Sequence, residues 1–140
     1  MRKFLLSLFF TITAIAAHAQ EPAVTMTTSM AIGETAYFYI ATSSETNIQA
    51  DWGDGNKVDF TVGTSPTMIY GDIKGSTIKL YGSGITYLYL SSNSITSIDV
   101  SATTSLQTLF IDSNNISAID LSANTALKEL RKRIEEKING

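Results

Sequence analysis

Leu88-Tyr89-Leu90-Ser91-Ser92-Asn93-Ser94-Ile95-Thr96-Ser97-Ile98-Asp99-Val100-Ser101 is followed by Leu109-Phe110-Ile111-Asp112-Ser113-Asn114-Asn115-Ile116-Ser117-Ala118-Ile119-Asp120-Leu121-Ser122. The apolar positions recur 21 residues on, as Leu88/Leu109, Leu90/Ile111, Ile95/Ile116, Ile98/Ile119 and Val100/Leu121. Asn93/Asn114 and Asp99/Asp120 recur in the same register, Leu106/Leu127 extend it, and Leu130 opens a third unit. A fixed period of this size predicts a solenoid, because one coil cannot bury its apolar residues alone and stacked coils bury them together. Leu88-x-Leu90 and Leu109-x-Ile111 have the period of two of a strand, with alternate side chains facing inward. The asparagine stands where each strand must turn. Its amide can donate to and accept from backbone groups that no strand ladder satisfies, so Asn93 and Asn114 are expected to form a structural ladder. A partial copy lies upstream, Ile78-Lys79-Leu80 and then Ile85-Thr86-Tyr87-Leu88, with Ser83 where the asparagine would stand.

These residues closely resemble the leucine-rich repeat family, most of all the short 21-residue repeats common in bacterial surface proteins. The resemblance covers about Ile78 to Leu130. It implies a curved right-handed solenoid with a parallel sheet on its concave side, a partner bound there, and no catalysis. Two full repeats fall short of the three or more that normally sustain such a stack. The middle residue of each strand points out of the concave sheet, which selects Tyr89 and Phe110. Tyr87 and Ser91 flank the first, Thr108 and Asp112 flank the second, and Lys79 and Tyr81 stand at equivalent places in the partial copy. Lys79, Tyr81, Tyr87, Tyr89, Thr108, Phe110 and Asp112 are therefore the expected binding face for a protein or carbohydrate. Exposed aromatic patches mark binding sites and aromatic residues dominate binding hot spots. The same rings could instead stack as cross-strand pairs that only stabilise the sheet.

Residues 22–77 do not share the period. Glu34-Thr35-Ala36-Tyr37-Phe38-Tyr39-Ile40 is rich in aromatic and β-branched residues, Lys57-Val58-Asp59-Phe60-Thr61-Val62 alternates strictly, and Gly and Ser clusters separate such runs. That pattern predicts a small antiparallel β-domain. Asp51-Trp52-Gly53-Asp54-Gly55 resembles the turn of polycystic-kidney-disease-type β-sandwich domains, over about Pro22 to Gly82. Asp51, Asp54 and Asp59 supply hard oxygen ligands and are calcium candidates. Their spacing fails a twelve-residue EF-hand loop, where Gly53, Gly55 and Val62 would occupy ligand positions. The simpler expectation has Asp54 capping a turn, Asp51 facing solvent and Trp52 packed in the core. Since a solenoid needs a cap over its end coil, residues 20–77 are expected to run directly into residues 78–127 as that cap.

Composition shifts again after Leu127. Eight of the thirteen residues from Lys128 to Gly140 are charged. Leu127, Leu130, Ile134 and Ile138 fall on one face of a helix, so residues 128–140 are expected to form an amphipathic capping helix. The rival reading is a basic helix that binds a membrane surface or a partner, and a third is that the chain is truncated and the tail is not an evolved cap.

At the other end, Met1-Arg2-Lys3, an apolar run from Phe4 to Ala17 and Ala17-His18-Ala19 have the layout of a secretory signal peptide cleaved after Ala19. The apolar run is short for a membrane span. The whole chain has 140 residues, formal charge −3, no cysteine and one histidine. Removing residues 1–19 takes away Arg2, Lys3 and His18, which leaves charge −5 and no histidine. Disulfides, thiolate metal sites and histidine-dependent catalysis are then excluded. The acidic body disfavours nucleic acid. The expected protein is mainly β: a sandwich-like domain, a short solenoid and a capping helix. Its expected role is a secreted, periplasmic or cell-surface binding or adhesion module, monomeric, without a cofactor and not an enzyme. A purely structural repeat module is the alternative, and a carboxylate-based hydrolase a distant third.

Overall fold

Alternation of apolar and polar residues builds ten strands in the computed structural model, which describes residues 19–132. They are β1 (Val24–Thr28), β2 (Thr35–Thr42), β3 (Thr46–Asp51), β4 (Lys57–Val62), β5 (Thr67–Asp72), β6 (Thr77–Tyr81), β7 (Ile85–Tyr89), β8 (Ile95–Asp99), β9 (Thr108–Phe110) and β10 (Glu129–Arg131). One sheet has the order β4-β3-β6-β1-β8 and the other the order β10-β9-β7-β2-β5. The first sheet is antiparallel throughout. In the second, β5, β2 and β7 pair antiparallel, while β7, β9 and β10 run parallel. Among the described residues no helix is long and apolar enough to cross a membrane.

One hydrophobic core joins the two sheets. Val24, Met26, Ile48, Ala50, Ile78 and Leu80 of the first sheet share it with Ala36, Phe38, Ile40, Ile69, Ile85, Leu88 and Leu109 of the second. Phe38 of β2 stacks on Trp52, just after β3, with ring centroids 5.5 Å apart. Trp52 is thus a core residue, as its size suggests. Gly71 of β5 makes room for it, because a Cβ there would collide with the indole ring.

Both sheets mix strands from before and after residue 78. The first repeat unit contributes β7 to one sheet and β8 to the other, and β1 pairs with β8 while β2 pairs with β7. The chain crosses between sheets at Gly82-Ser83-Gly84, whose glycines take φ of +137° and +72°, a region that excludes most side chains. Because of this crossing β6 does not stack beneath β7. The partial repeat at Ile78-Lys79-Leu80 therefore sits in the first sheet, against β1 and β3.

The asparagines bridge neighbouring strands. Asn114 Oδ1 accepts the N–H groups of Asn93 and Ile95, each at 3.0 Å, and its Nδ2 donates to Leu90 and Ile111 carbonyls. Asn93 is buried and reaches the other way. Its Nδ2 donates to the carbonyls of Leu90, Ser91 and Tyr37, and its Oδ1 accepts the Tyr37 N–H at 3.1 Å. Ser92 and Ser113, immediately before the two asparagines, share left-handed φ of +62° and +57°, so the turn geometry repeats with the sequence. A second ladder escapes a reading by residue type. Thr103 Oγ1 donates to the Val100 carbonyl, and 21 positions on Asn124 Nδ2 donates to the Val100 and Thr103 carbonyls.

Two expectations are corrected. The helix proposed for residues 128–140 does not begin at Lys128, because Glu129–Arg131 is β10, parallel to β9. Leu130 continues the Leu88/Leu109 line, and strand bonds from Lys128 N–H to Gln107 and from Ile111 N–H to the Arg131 carbonyl satisfy backbone that a helix turn would claim. Ile134 and Ile138 lie outside the described residues, as do residues 1–18 of the proposed export signal. Asp51, in turn, does not face solvent. It is 7% exposed, and its Oδ1 accepts the N–H groups of Gly53 and Gly55, tying the β3–β4 turn together.

Three outcomes test this packing. Gly71→Ala pushes Trp52 out of place and red-shifts the fluorescence of this single tryptophan. Asn93→Ala strands buried backbone groups and lowers unfolding stability by about 1–3 kcal/mol in denaturant titration. Asp54 accepts bonds from the Asn56 side chain and N–H and pairs with Lys74 at 3.2 Å, which hold its pKa at about 2. A depressed carboxylate stabilises the fold above its unfolded pKa and loses that contribution as pH falls toward 2. Asp54→Asn should therefore flatten the acid arm of a melting-temperature profile between about pH 4 and 2.

Candidate binding face

The outward side of the second sheet is decided by alternation. In β2, Ala36, Phe38 and Ile40 turn inward, so Tyr37 and Tyr39 turn outward. In β7 the buried Leu88 sends Tyr87 and Tyr89 outward, and in β9 the buried Leu109 does the same for Thr108 and Phe110. Met68 and Tyr70 follow in β5 and Glu129 and Arg131 in β10.

Strand register then lines these side chains up. Met68 lies opposite Tyr39, Tyr39 opposite Tyr89, Tyr89 opposite Phe110 and Phe110 opposite Arg131. This row crosses all five strands. Tyr70 opposite Tyr37 forms a second short row on one side, and Tyr87, Thr108 and Glu129 a third on the other. Tyr39 meets Tyr89 edge to face at 5.7 Å, Tyr89 meets Phe110 at 6.1 Å, and Tyr87 meets Phe110 at 5.8 Å. Tyr37 and Tyr70 stack at 6.1 Å and are 51% and 57% exposed. The guanidinium of Arg131 caps the row, 4.4 Å from the Phe110 ring centre. Edge-to-face pairs are favourable beyond their buried area, so the rings hold one another upright.

The rim is polar. Asp112 accepts a bond from the Ser91 hydroxyl at 2.6 Å, and Asp72 accepts one from Thr35 at 2.7 Å. Burial first, and then the negative charges that Tyr89 as a tyrosinate and Glu129 carry, push the Tyr87 hydroxyl up from its ordinary pKa.

The face gathers Tyr87, Tyr89, Thr108 and Phe110 of the expected set, with Asp112 at its margin. It does not gather Lys79 and Tyr81. Both belong to β6 in the other sheet, and Tyr81 is 7% exposed with the Lys57 ammonium 3.7 Å from its ring centre. In their place stand Tyr37, Tyr39, Met68 and Tyr70. The Tyr37-Phe38-Tyr39 alternation is the sequence signal for two of them. The joining of β2 to β7 that brings them here has no local signature.

The calcium candidates do not converge. Asp51 ties its own turn, Asp54 pairs with Asn56 and Lys74, and Asp59 accepts bonds from Asn47 and Gln49 at 2.8 Å each. Among the described residues no group of three acidic or metal-ligating side chains is placed to hold a metal ion. Asp99 and Asp120, equivalent in the repeat, are held at lowered pKa by bonds from the Ser101 and Ser122 side chains and then from the N–H groups of the same serines. They cap turns.

Residues 83–131 match the family model of leucine-rich repeats, in two copies. Repeats of this family generally mediate protein binding. No curated protein and no solved structure matches the chain. The residues that supply β7, β9 and β10 to the aromatic face lie within that matched stretch.

Proposed function

We propose that this chain is an exported, non-catalytic binding module that seats a protein partner on the outward face of the second sheet. One observation carries the reading. Exposed Met68, Tyr70, Tyr37 and Tyr39 gather with half-buried Tyr87, Tyr89 and Phe110 on a single sheet face. Large exposed apolar patches rimmed by polar residues are characteristic of interaction sites, and tyrosine is enriched among binding hot spots. The protein-binding habit of leucine-rich repeats supports the same reading. Rings set edge to face present ridges and clefts, which suit side chains protruding from a folded or extended polypeptide.

Export rests on the layout of residues 1–19, with action outside the cytoplasm as its consequence. The bonded turn from Asp51 to Gly55 supports reading about Pro22 to Gly82 as a polycystic-kidney-disease-like scaffold. A carbohydrate ligand is the second reading. It is favoured by Tyr37 and Tyr70, whose rings lie within 29° of parallel and are both more than half exposed. Two nearly parallel rings offer a platform for a sugar face.

Arrays of extracellular proteins and of glycans, probed with the full chain, test both readings. Tyr89→Ser with Phe110→Ser is expected to weaken a captured protein about tenfold or more while circular dichroism stays that of a β protein. A glycan hit lost only with Tyr37→Ser and Tyr70→Ser would shift the assignment to carbohydrate. A protein hit indifferent to both double variants would remove the aromatic face from the mechanism.

A further inference from the structure

Among the described residues β10 ends the second sheet. β9 takes one edge of its backbone, and among the described residues no strand takes the other. Free N–H and C=O groups along such an edge are a template for another strand. The side chains beneath it are equally unfinished. Leu130 stands on the same line as Leu88 and Leu109, which are fully buried, yet it is 44% exposed. Ile119, Leu121 and Leu127, in the turn leading to β10, are only partly buried.

We propose that this edge pairs with the same edge of a second copy of the chain, β10 against β10, antiparallel about a twofold axis at Leu130. The charges of the strand select that occupant. In this register Glu129 of each copy lies opposite Arg131 of the other, giving two opposite-charge cross-strand pairs on the outward face. Cross-strand pairs of this kind are stabilising, and like charges directly opposite are destabilising. A slip of two residues either way sets Glu129 against Glu129 or Arg131 against Arg131. A slip of one sets Glu129 against Leu130 and turns side chains to the wrong face. Of these registers only the first sets Glu129 opposite Arg131 with both on the outward face. Charges of a single sign would guard an open edge. Two opposite signs two residues apart favour an antiparallel copy of the strand instead.

Leu130 then meets Leu130 of the second copy on the inner side. Lys128 of each copy lies opposite Lys132 of the other there, two repulsions eased because the long stems carry the ammonium groups to water while covering the leucines. The contact is self-complementary and closes at two copies, so it makes a dimer and not a fibre. It joins the two aromatic faces into one surface, with Glu129 of one copy beside the Arg131 that caps Phe110 in the other. The proposal departs from the sequence-based expectation of a monomer.

Sedimentation equilibrium of the full chain, up to about 300 μM, tests the proposal over the micromolar range suited to a small interface. The expected result is a monomer–dimer equilibrium. Glu129→Arg and Arg131→Glu should each weaken it about tenfold or more, since each turns two attractive pairs into repulsive ones. The double variant exchanges the charges and should restore the dimer to within about threefold of the original. A monomer at every concentration would overturn the proposal and leave the edge to other residues of the chain or to a different protein. A dimer indifferent to both single reversals, or not restored by the exchange, would overturn it equally.

Discussion

The seam between β2 and β7 is the constraint on which the rest depends. A parallel repeat strand needs a neighbour on both edges, and the first one has no preceding repeat unit of the same register. β2 fills that place from the opposite direction, pairing Ile40 with Leu88 and Tyr39 with Tyr89. Asn93 completes the join. It grips both the N–H and the carbonyl of Tyr37 with the amide that its equivalent, Asn114, uses on the preceding unit. An amide serves both junctions because it donates and accepts at once. The N-terminal strands and the repeats therefore share backbone hydrogen bonds and one core.

That seam also creates the candidate site. Two tyrosines of β7 and one phenylalanine of β9 would be an ordinary cross-strand cluster. Joined to β2 and β5 they become a row crossing five strands, with Tyr37 and Tyr70 beside it. The inward neighbours Phe38, Ile69, Leu88 and Leu109 are all fully buried, so the outward direction of each aromatic ring follows from core packing. Rigid strands hold the rings, and the edge-to-face contacts limit their rotation. Recognition on such a face needs little ordering of the binder, which favours affinity.

Much of this is legible in the residues. The 21-residue recurrence of leucine and asparagine marks the repeat, and the spacing alone makes Leu88, Leu109 and Leu130 equivalent. Aromatic and β-branched content marks β2 as a strand, and strict alternation marks β4. Trp52 declares itself a core residue by size. Where the fold departs from the sequence pattern, long-range pairing overrules a local signal. Leu127 and Leu130 have helical spacing, yet Leu130 also has repeat spacing, and the open edge of β9 is there to receive it. Ile78-Lys79-Leu80 mimics a repeat strand, yet the glycine crossing at residues 82–84 sends it to the other sheet, taking Lys79 and Tyr81 away from the face.

The sequence by itself determined the periodicity, the strand-forming runs and the asparagines that must satisfy turning backbone, because these depend on spacing and on the hydrogen-bonding capacity of single residues. It also determined which residues lie on alternate faces within each strand. Only the tertiary structure decided which strands lie side by side. Pairing between strands as far apart in the chain as β2 and β7 is set by the joint burial of two sheet faces and leaves no mark in any short window. For that reason the repeat period alone marks the aromatic residues of β7 and β9, while Tyr37, Tyr39, Met68 and Tyr70 join them only because β2 closes against β7.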